Sequence, residues 1–191
     1  MKKISFLFMI AGAIFLSIGG YQLFKTKAAE KESLKEVNEL LNSSDEHAVT
    51  NPNDFSPSPN EKVGKLQIPS IDAELAIVEG TDPEDLAEGV GHYSESAYPE
   101  QNDQIVLSGH RDTVFRSLGD VKLGDTFTIQ LPHGDYTYEM VDSKIVAADD
   151  TSIIKSTAPD EELIISTCYP FSYIGDAPDR YIIYAKPIKT N

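Results

Sequence analysis

Three kinds of hydrophobic pattern follow one another along the chain. The first is almost unbroken: between Lys2-Lys3 and Lys25, residues 4–24 carry no charge. About twenty apolar residues suffice to cross a bilayer, and glycines such as Gly12, Gly19 and Gly20 are tolerated there. The run predicts one N-terminal transmembrane helix as an uncleaved membrane anchor over residues 1–27. A cleaved secretory signal is the alternative, although a cut after Ala29 would leave charged Lys27 where a small residue is expected. Lysines on both sides leave the orientation unset by charge. Both readings export the rest of the chain. In the second pattern Leu34, Val37, Leu40 and Leu41 recur at helical spacing amid charges, which predicts a short amphipathic stalk. Residues 42–60 then turn to Asn, Ser, Asp and Pro and predict a flexible linker, too poor in apolar residues to order itself. Residues 28–60 are thus stalk and linker.

The third pattern fills residues 61–191, enough for one domain with a core of its own. Strand-like runs recur at short intervals: VGKLQI, AELAIVE, QIVLSG, DTFTIQL, YTYEMVDSKIVA, ELIIST and RYIIYAKPI. Turn signals separate them, among them Ile68-Pro69-Ser70, Leu123-Gly124-Asp125 and His133-Gly134-Asp135. One short helix is predicted at Asp82-Pro83-Glu84, with Asp82 as cap, Pro83 in the first turn and Gly89 as the stop. The pattern indicates an all-β barrel or sandwich with small helical insertions.

A net charge of −15 excludes nucleic acid as a partner, because a binder carries a basic face. It also disfavours adhesion to anionic lipid, and the acidic excess reads as solvation. The carboxylates Asp149-Asp150 and Glu161-Glu162 lack the spacing of a dedicated calcium loop, so no cofactor is expected and calcium stimulation has no clear ligand motif.

Candidate chemistry begins with the chain's one cysteine. Cys168 ends the run Leu163–Thr167 just before Tyr169-Pro170, where proline stops the ladder. That places a thiol at an exposed strand end, while a small buried hydrophobe is the competing reading. Internal disulfides are excluded, and an unpaired thiol in an exported chain is a candidate reactive group. Arg180, one of three arginines, opens the next run, so it falls at a neighbouring strand end; a surface pair with Asp176 or Asp179 competes. Among four histidines, His47 lies in the linker and His133 in a Pro-His-Gly turn, both read as solvated. His92 sits at a loop or strand entry and reads as structural. His110 ends the strand Gln104–Gly109, as Cys168 ends its own.

Taken in order, LSGHRDTVF, TCYP and APDRYIIYA resemble the sortases, cysteine transpeptidases that attach proteins to the Gram-positive cell wall. The resemblance covers residues 63–187. It departs from the family's Thr-Leu-x-Thr-Cys signature, because Ile164-Ile165-Ser166-Thr167-Cys168 keeps only the Thr-Cys end. The CYPF and GHRDTVF wording is most similar to class D sortases of spore formers. The resemblance implies an eight-stranded β-barrel, a catalytic domain over 61–191 and His110, Cys168 and Arg180 as catalytic residues. It also implies Leu-Pro-x-Thr-Gly or Leu-Pro-x-Thr-Ala sorting signals as substrates and a cell-wall amine as acceptor, with the domain on the wall side of the membrane.

The trio suits acyl transfer. Thiols in water are only a few per cent thiolate near neutrality, so a cationic neighbour favours the nucleophile. A guanidinium keeps its charge and can hydrogen-bond an oxyanion. An imidazole can protonate the leaving amine and deprotonate the incoming one. Asp112 either orients a cation or caps the segment 113–118. Three alternatives stay open: a thiol hydrolase, a class C pilin polymerase, and a wall-tethered β-domain with an inert cysteine. For the polymerase, residues 51–59 lack the Asp-Pro-aromatic lid motif.

Overall fold

The computed structural model describes residues 2–43, 52–172 and 175–188. Eight strands close into a barrel: β1 Lys62–Ile68, β2 Ala73–Glu79, β3 Val90–His92, β4 Gln104–Gly109, β5 Thr126–Leu131, β6 Gly134–Ala147, β7 Glu162–Tyr169 and β8 Asp179–Pro187. Their order around the barrel is β1-β2-β3-β4-β7-β8-β6-β5, closing from β5 back to β1. The neighbours β2/β3 and β4/β7 are parallel and the other pairs antiparallel. One end of the barrel therefore carries the C-termini of β4 and β7 and the N-termini of β5 and β8. We call it the thiol end.

Alternation decides which residues fill the interior. Leu66, Ile68, Ile77, Ile105, Leu107, Phe127, Ile129, Leu163, Ile165 and Ile183 point inward and are buried. Val106, Ile164 and Ile182 point outward yet are buried as well, under Tyr93, Ile153, Val146 and Tyr184. Strands covered on both faces read as continuous apolar runs, which accounts for QIVL and LII. The short helix α2, Pro83–Leu86, forms where expected, and the Asp82 amide donates to Asp85 Oδ2 at 2.9 Å. Strand β3 has no run of its own in the sequence, because it is three residues long and its middle residue is Gly91.

The N-terminal region differs from expectation. Helix α1 runs unbroken over Lys2–Ser43, so stalk and apolar run are one rod. Its C-terminal half docks on the barrel, where Val37 and Ser33 are buried, Lys65 Nζ donates to Asn38 Oδ1 at 3.1 Å, and Lys62 pairs with Glu36 at 3.7 Å. Among the described residues no helix is long and apolar enough to cross a membrane. The span expected over 4–24 is thus not shown; the side chains of residues 4–8, 11, 22 and 23 lie outside the described set.

The linker also departs from the expected free chain where it is described. Residues 44–51, with His47, lie outside the described residues. Pro52–Asp54 forms a 3-10 turn whose Pro52 carbonyl accepts from Gln101 Nε2 at 2.9 Å. Phe55 packs edge-on against Tyr98 at 4.7 Å and lies 4.8 Å from the His133 ring. The segment cannot order itself, but one aromatic anchored on a formed barrel orders it. His133 is consequently half-buried beneath Phe55 and not solvated. Neither of its ring nitrogens has a hydrogen-bond partner among the described residues, and burial pushes its pKa down. This contact lies at the end of the barrel opposite the thiol, beside the β5–β6 turn.

Candidate active site

Cys168 and Arg180 are direct partners in the β7/β8 ladder. In the parallel β4/β7 ladder Gly109 stands opposite Thr167, so continuing the register by one residue sets His110 level with Cys168. Alternation puts Cys168 and Arg180 on the outward face of the sheet, that of Val106, Ile164 and Ile182. Thus the three residues singled out from the sequence gather at one strand-end row, next to the covered cluster of Val106, Ile164 and Ile182. Cys168 is a half-buried free thiol, His110 is exposed and Arg180 is half-buried. Arg180 Nη1 donates to the Asp179 carbonyl at 3.0 Å and weakly to that of Ala177 at 3.4 Å, which holds the guanidinium close to its own strand.

The row is fixed by contacts that sequence reasoning missed. Thr167 Oγ1, buried, donates to the Gly109 carbonyl at 2.8 Å and locks the ends of β7 and β4 together. Arg111, only 6% exposed, donates from Nη1 to the Pro170 carbonyl at 2.9 Å, joining the loop after the histidine to the loop after the cysteine. A Cβ at Gly109 would come within 2.6 Å of the Phe115 ring, so glycine is needed for that ring to close over the strand end. Phe171 stacks edge-on against Tyr169 at 5.7 Å and Tyr181 at 5.4 Å, and its ring lies against Gly119. Residues 173 and 174 of the β7–β8 loop lie outside the described residues.

Other candidates fall elsewhere. Asp112 pairs with Arg111, Oδ2 to Nη2 at 3.3 Å, and its carbonyl accepts from Arg116 at 2.7 Å. The segment after it is capped by the His110 carbonyl, which accepts from the amides of Thr113 and Phe115 at 3.3 and 3.1 Å. His92 is structural: Nδ1 meets Glu79 Oε2 at 2.8 Å, and the ring stacks on Tyr98 at 3.9 Å. Tyr98 donates to the same carboxylate oxygen at 2.6 Å. Burial raises the Glu79 pKa, but the bonds from His92 and Tyr98 outweigh it and hold the carboxyl below its usual range. Three of the four carboxylates weighed for calcium are engaged: Glu161 accepts from Tyr138 at 2.7 Å, Asp150 from Ser152 at 2.6 Å, and Glu162 pairs with Lys186 at 3.1 Å. Among the described residues no three His, Cys, Asp or Glu side chains are grouped to hold a metal ion.

A family model described as the sortase domain matches residues 66–188, which takes in the whole row and nearly the whole barrel. The chain belongs to the sortase family. This sortase is 49% identical to Sortase D of Bacillus subtilis (strain 168) over 197 residues, covering 98% of this chain and 100% of the relative. Among solved structures it resembles a Clostridium perfringens Sortase D5 transpeptidase, with a TM-score of 0.73, 25% identity, and 85% of this chain and 99% of that one covered. Sortase C from Clostridium perfringens SM101 shares the fold at a TM-score of 0.64 and 23% identity, with 91% and 99% of the two chains covered. The sortase is therefore a cysteine transpeptidase of the class D type by homology, and membership brings sorting-signal proteins as substrates and cell-wall amines as acceptors.

Proposed function

We propose that this sortase uses Cys168, His110 and Arg180 to move a protein from its sorting signal to a cell-wall amine. The single observation that carries the assignment is the register, Cys168 opposite Arg180 and Gly109 opposite Thr167. The Cys168 thiolate attacks the carbonyl carbon after the threonine of a Leu-Pro-x-Thr-Gly or Leu-Pro-x-Thr-Ala signal. Arg180 hydrogen-bonds the oxyanion that forms. The C–N bond to the next residue breaks as His110 protonates the leaving amine, and a thioester remains. The acceptor amine then attacks that thioester, His110 takes its proton, and Cys168 leaves as thiolate.

A membrane anchor over residues 1–27 completes the proposal, with residues 61–191 as catalytic domain on the wall side. Its support is the uncharged run of residues 4–24 and the exposure of Ile14, Phe15, Leu16, Ile18 and Phe24, apolar side chains that the barrel does not cover. No lid over the thiol is proposed, since Phe55 docks at the opposite end of the barrel.

The test is mass spectrometry of the acyl-enzyme with a Leu-Pro-x-Thr-Gly peptide. Cys168→Ala gives no adduct, and His110→Ala acylates poorly because no lysine can replace the imidazole in protonating the leaving amine. Arg180→Lys keeps the charge and loses the fork, so acylation falls by about a hundredfold, the scale of losing one oxyanion donor. Normal acylation in the His110 and Arg180 variants refutes the assignment.

A further inference from the structure

Helix α1 determines where the thiol end sits relative to the anchor. The apolar run ends at Phe24, and α1 continues without a break into the half docked on the barrel through Ser33, Val37 and Asn38. Thr26, Lys27 and Glu30 already face Asp112, Thr113 and Arg116 across a cleft. These three residues lie in the turn after His110, whose carbonyl accepts from the amides of Thr113 and Phe115, while the Arg116 amide donates to the Thr113 carbonyl. At 1.5 Å per residue, the two to six residues from Phe24 to this contact span about 3–9 Å. The loop that carries the catalytic histidine is thus within about two helical turns of the end of the apolar run.

The segment 111–125 then crosses the thiol end, touching Phe171 at Gly119, and reaches Leu123, a large apolar side chain 68% exposed at its turn. Lys27, Arg116 and Lys122 lie at this end, along with Glu30, Asp112 and Asp120, so the charge is mixed and the placement comes from the helix. The opposite end, with the β5–β6 turn at His133 to Asp135, is roughly 20 Å further away, the length of a seven-residue strand.

We propose that the thiol end of the barrel lies against the lipid bilayer, held there by the docked half of α1 with Leu123 at the headgroup level. The site then opens toward the membrane surface, and peptide and acceptor amine reach Cys168 along that surface. The proposal rests on the anchor reading, so its test separates the two. Full-length Cys168→Ala protein, further substituted Leu123→Cys or Asp135→Cys, carries a fluorophore on its new thiol and is reconstituted in phosphatidylethanolamine/phosphatidylglycerol vesicles. Both positions are exposed, so labelling spares the core. With nitroxide on the lipid headgroups, quenching at position 123 exceeds that at 135 by roughly threefold or more, given the strand-length separation. Equal or reversed quenching, with the protein floating with the vesicles, overturns the placement and leaves the anchor standing. Protein that does not float with the vesicles overturns the anchor, and the placement with it.

Discussion

Arg111 joins the two halves of the site without facing the thiol. Its bond to the Pro170 carbonyl sets the cysteine loop relative to the histidine loop, and displacements of about 1 Å cost up to a hundredfold in reactions that depend on alignment. Arg111→Lys is expected to lower the acylation kcat by about tenfold with little change in KM, because the planar fork is lost while substrate contacts stay. Steady-state kinetics on the variant decide this; a raised KM at constant kcat would place Arg111 in peptide binding instead. The strand-end positions of Cys168, His110 and Arg180 were legible in the sequence because each ends or opens an apolar strand run, while their proposed roles came from the resemblance of LSGHRDTVF, TCYP and APDRYIIYA to the family. Thr167 and Arg111 were not legible as positioning groups. Both act on backbone carbonyls some sixty residues away in sequence, Gly109 and Pro170, and no local pattern records such a contact. Glu79 was silent for the same reason. With its carboxyl held down by His92 and Tyr98, it contributes stability that is present above about pH 4.5 and is lost as pH falls through the lower folded value. Glu79→Gln is expected to cost about 2–3 kcal/mol, as a buried hydrogen-bonded charge is replaced and its partners are left mismatched. Urea titration at neutral pH measures it.

At the scale of elements, apolar runs bounded by turn signals marked every strand but β3, whose three residues, with Gly91 in the middle, form no run. The segment 52–55 was misjudged for another reason. Its composition describes a free chain, whereas its order comes from a site on the barrel, formed by Tyr98 and His133, that composition does not reveal. Phe55→Ala is expected to cost about 1–2 kcal/mol, less than truncation of a fully buried phenylalanine, and to leave peptide acylation within about twofold, because the contact is remote from the thiol. His133 makes the latch pH-dependent. Its folded pKa is lowered by burial, so the unfolded chain binds the proton more readily. Stability is full above about pH 6.5 and falls as pH drops below it toward the lower folded value. Hydrogen exchange should show amides near Phe55 loosening at pH 5.5 relative to 7.5, and His133→Phe should remove that dependence.

On the scale of the whole molecule, the barrel is the folding unit and α1 a docked addition to it. Residues 61–191 alone should still unfold cooperatively, but less stably than residues 25–191. The difference should reach about 2–3 kcal/mol, since Val37 is fully buried and Phe55 is also lost. Guanidinium titrations of the two fragments test this; a fragment 61–191 without a cooperative transition would make α1 part of the fold itself. The Thr167–Gly109 bond bridges 58 residues of sequence, and the β4/β7 pair it closes is parallel. Contacts so distant along the chain are slow to form, because the loop between them must be closed first. A chain still unfolded, as during passage across a membrane, therefore carries a thiol and an imidazole that do not meet. On the proposed roles of Cys168 and His110, synthesis and transit yield an inert polypeptide, and acyl transfer begins only when the fourth and seventh strands find each other.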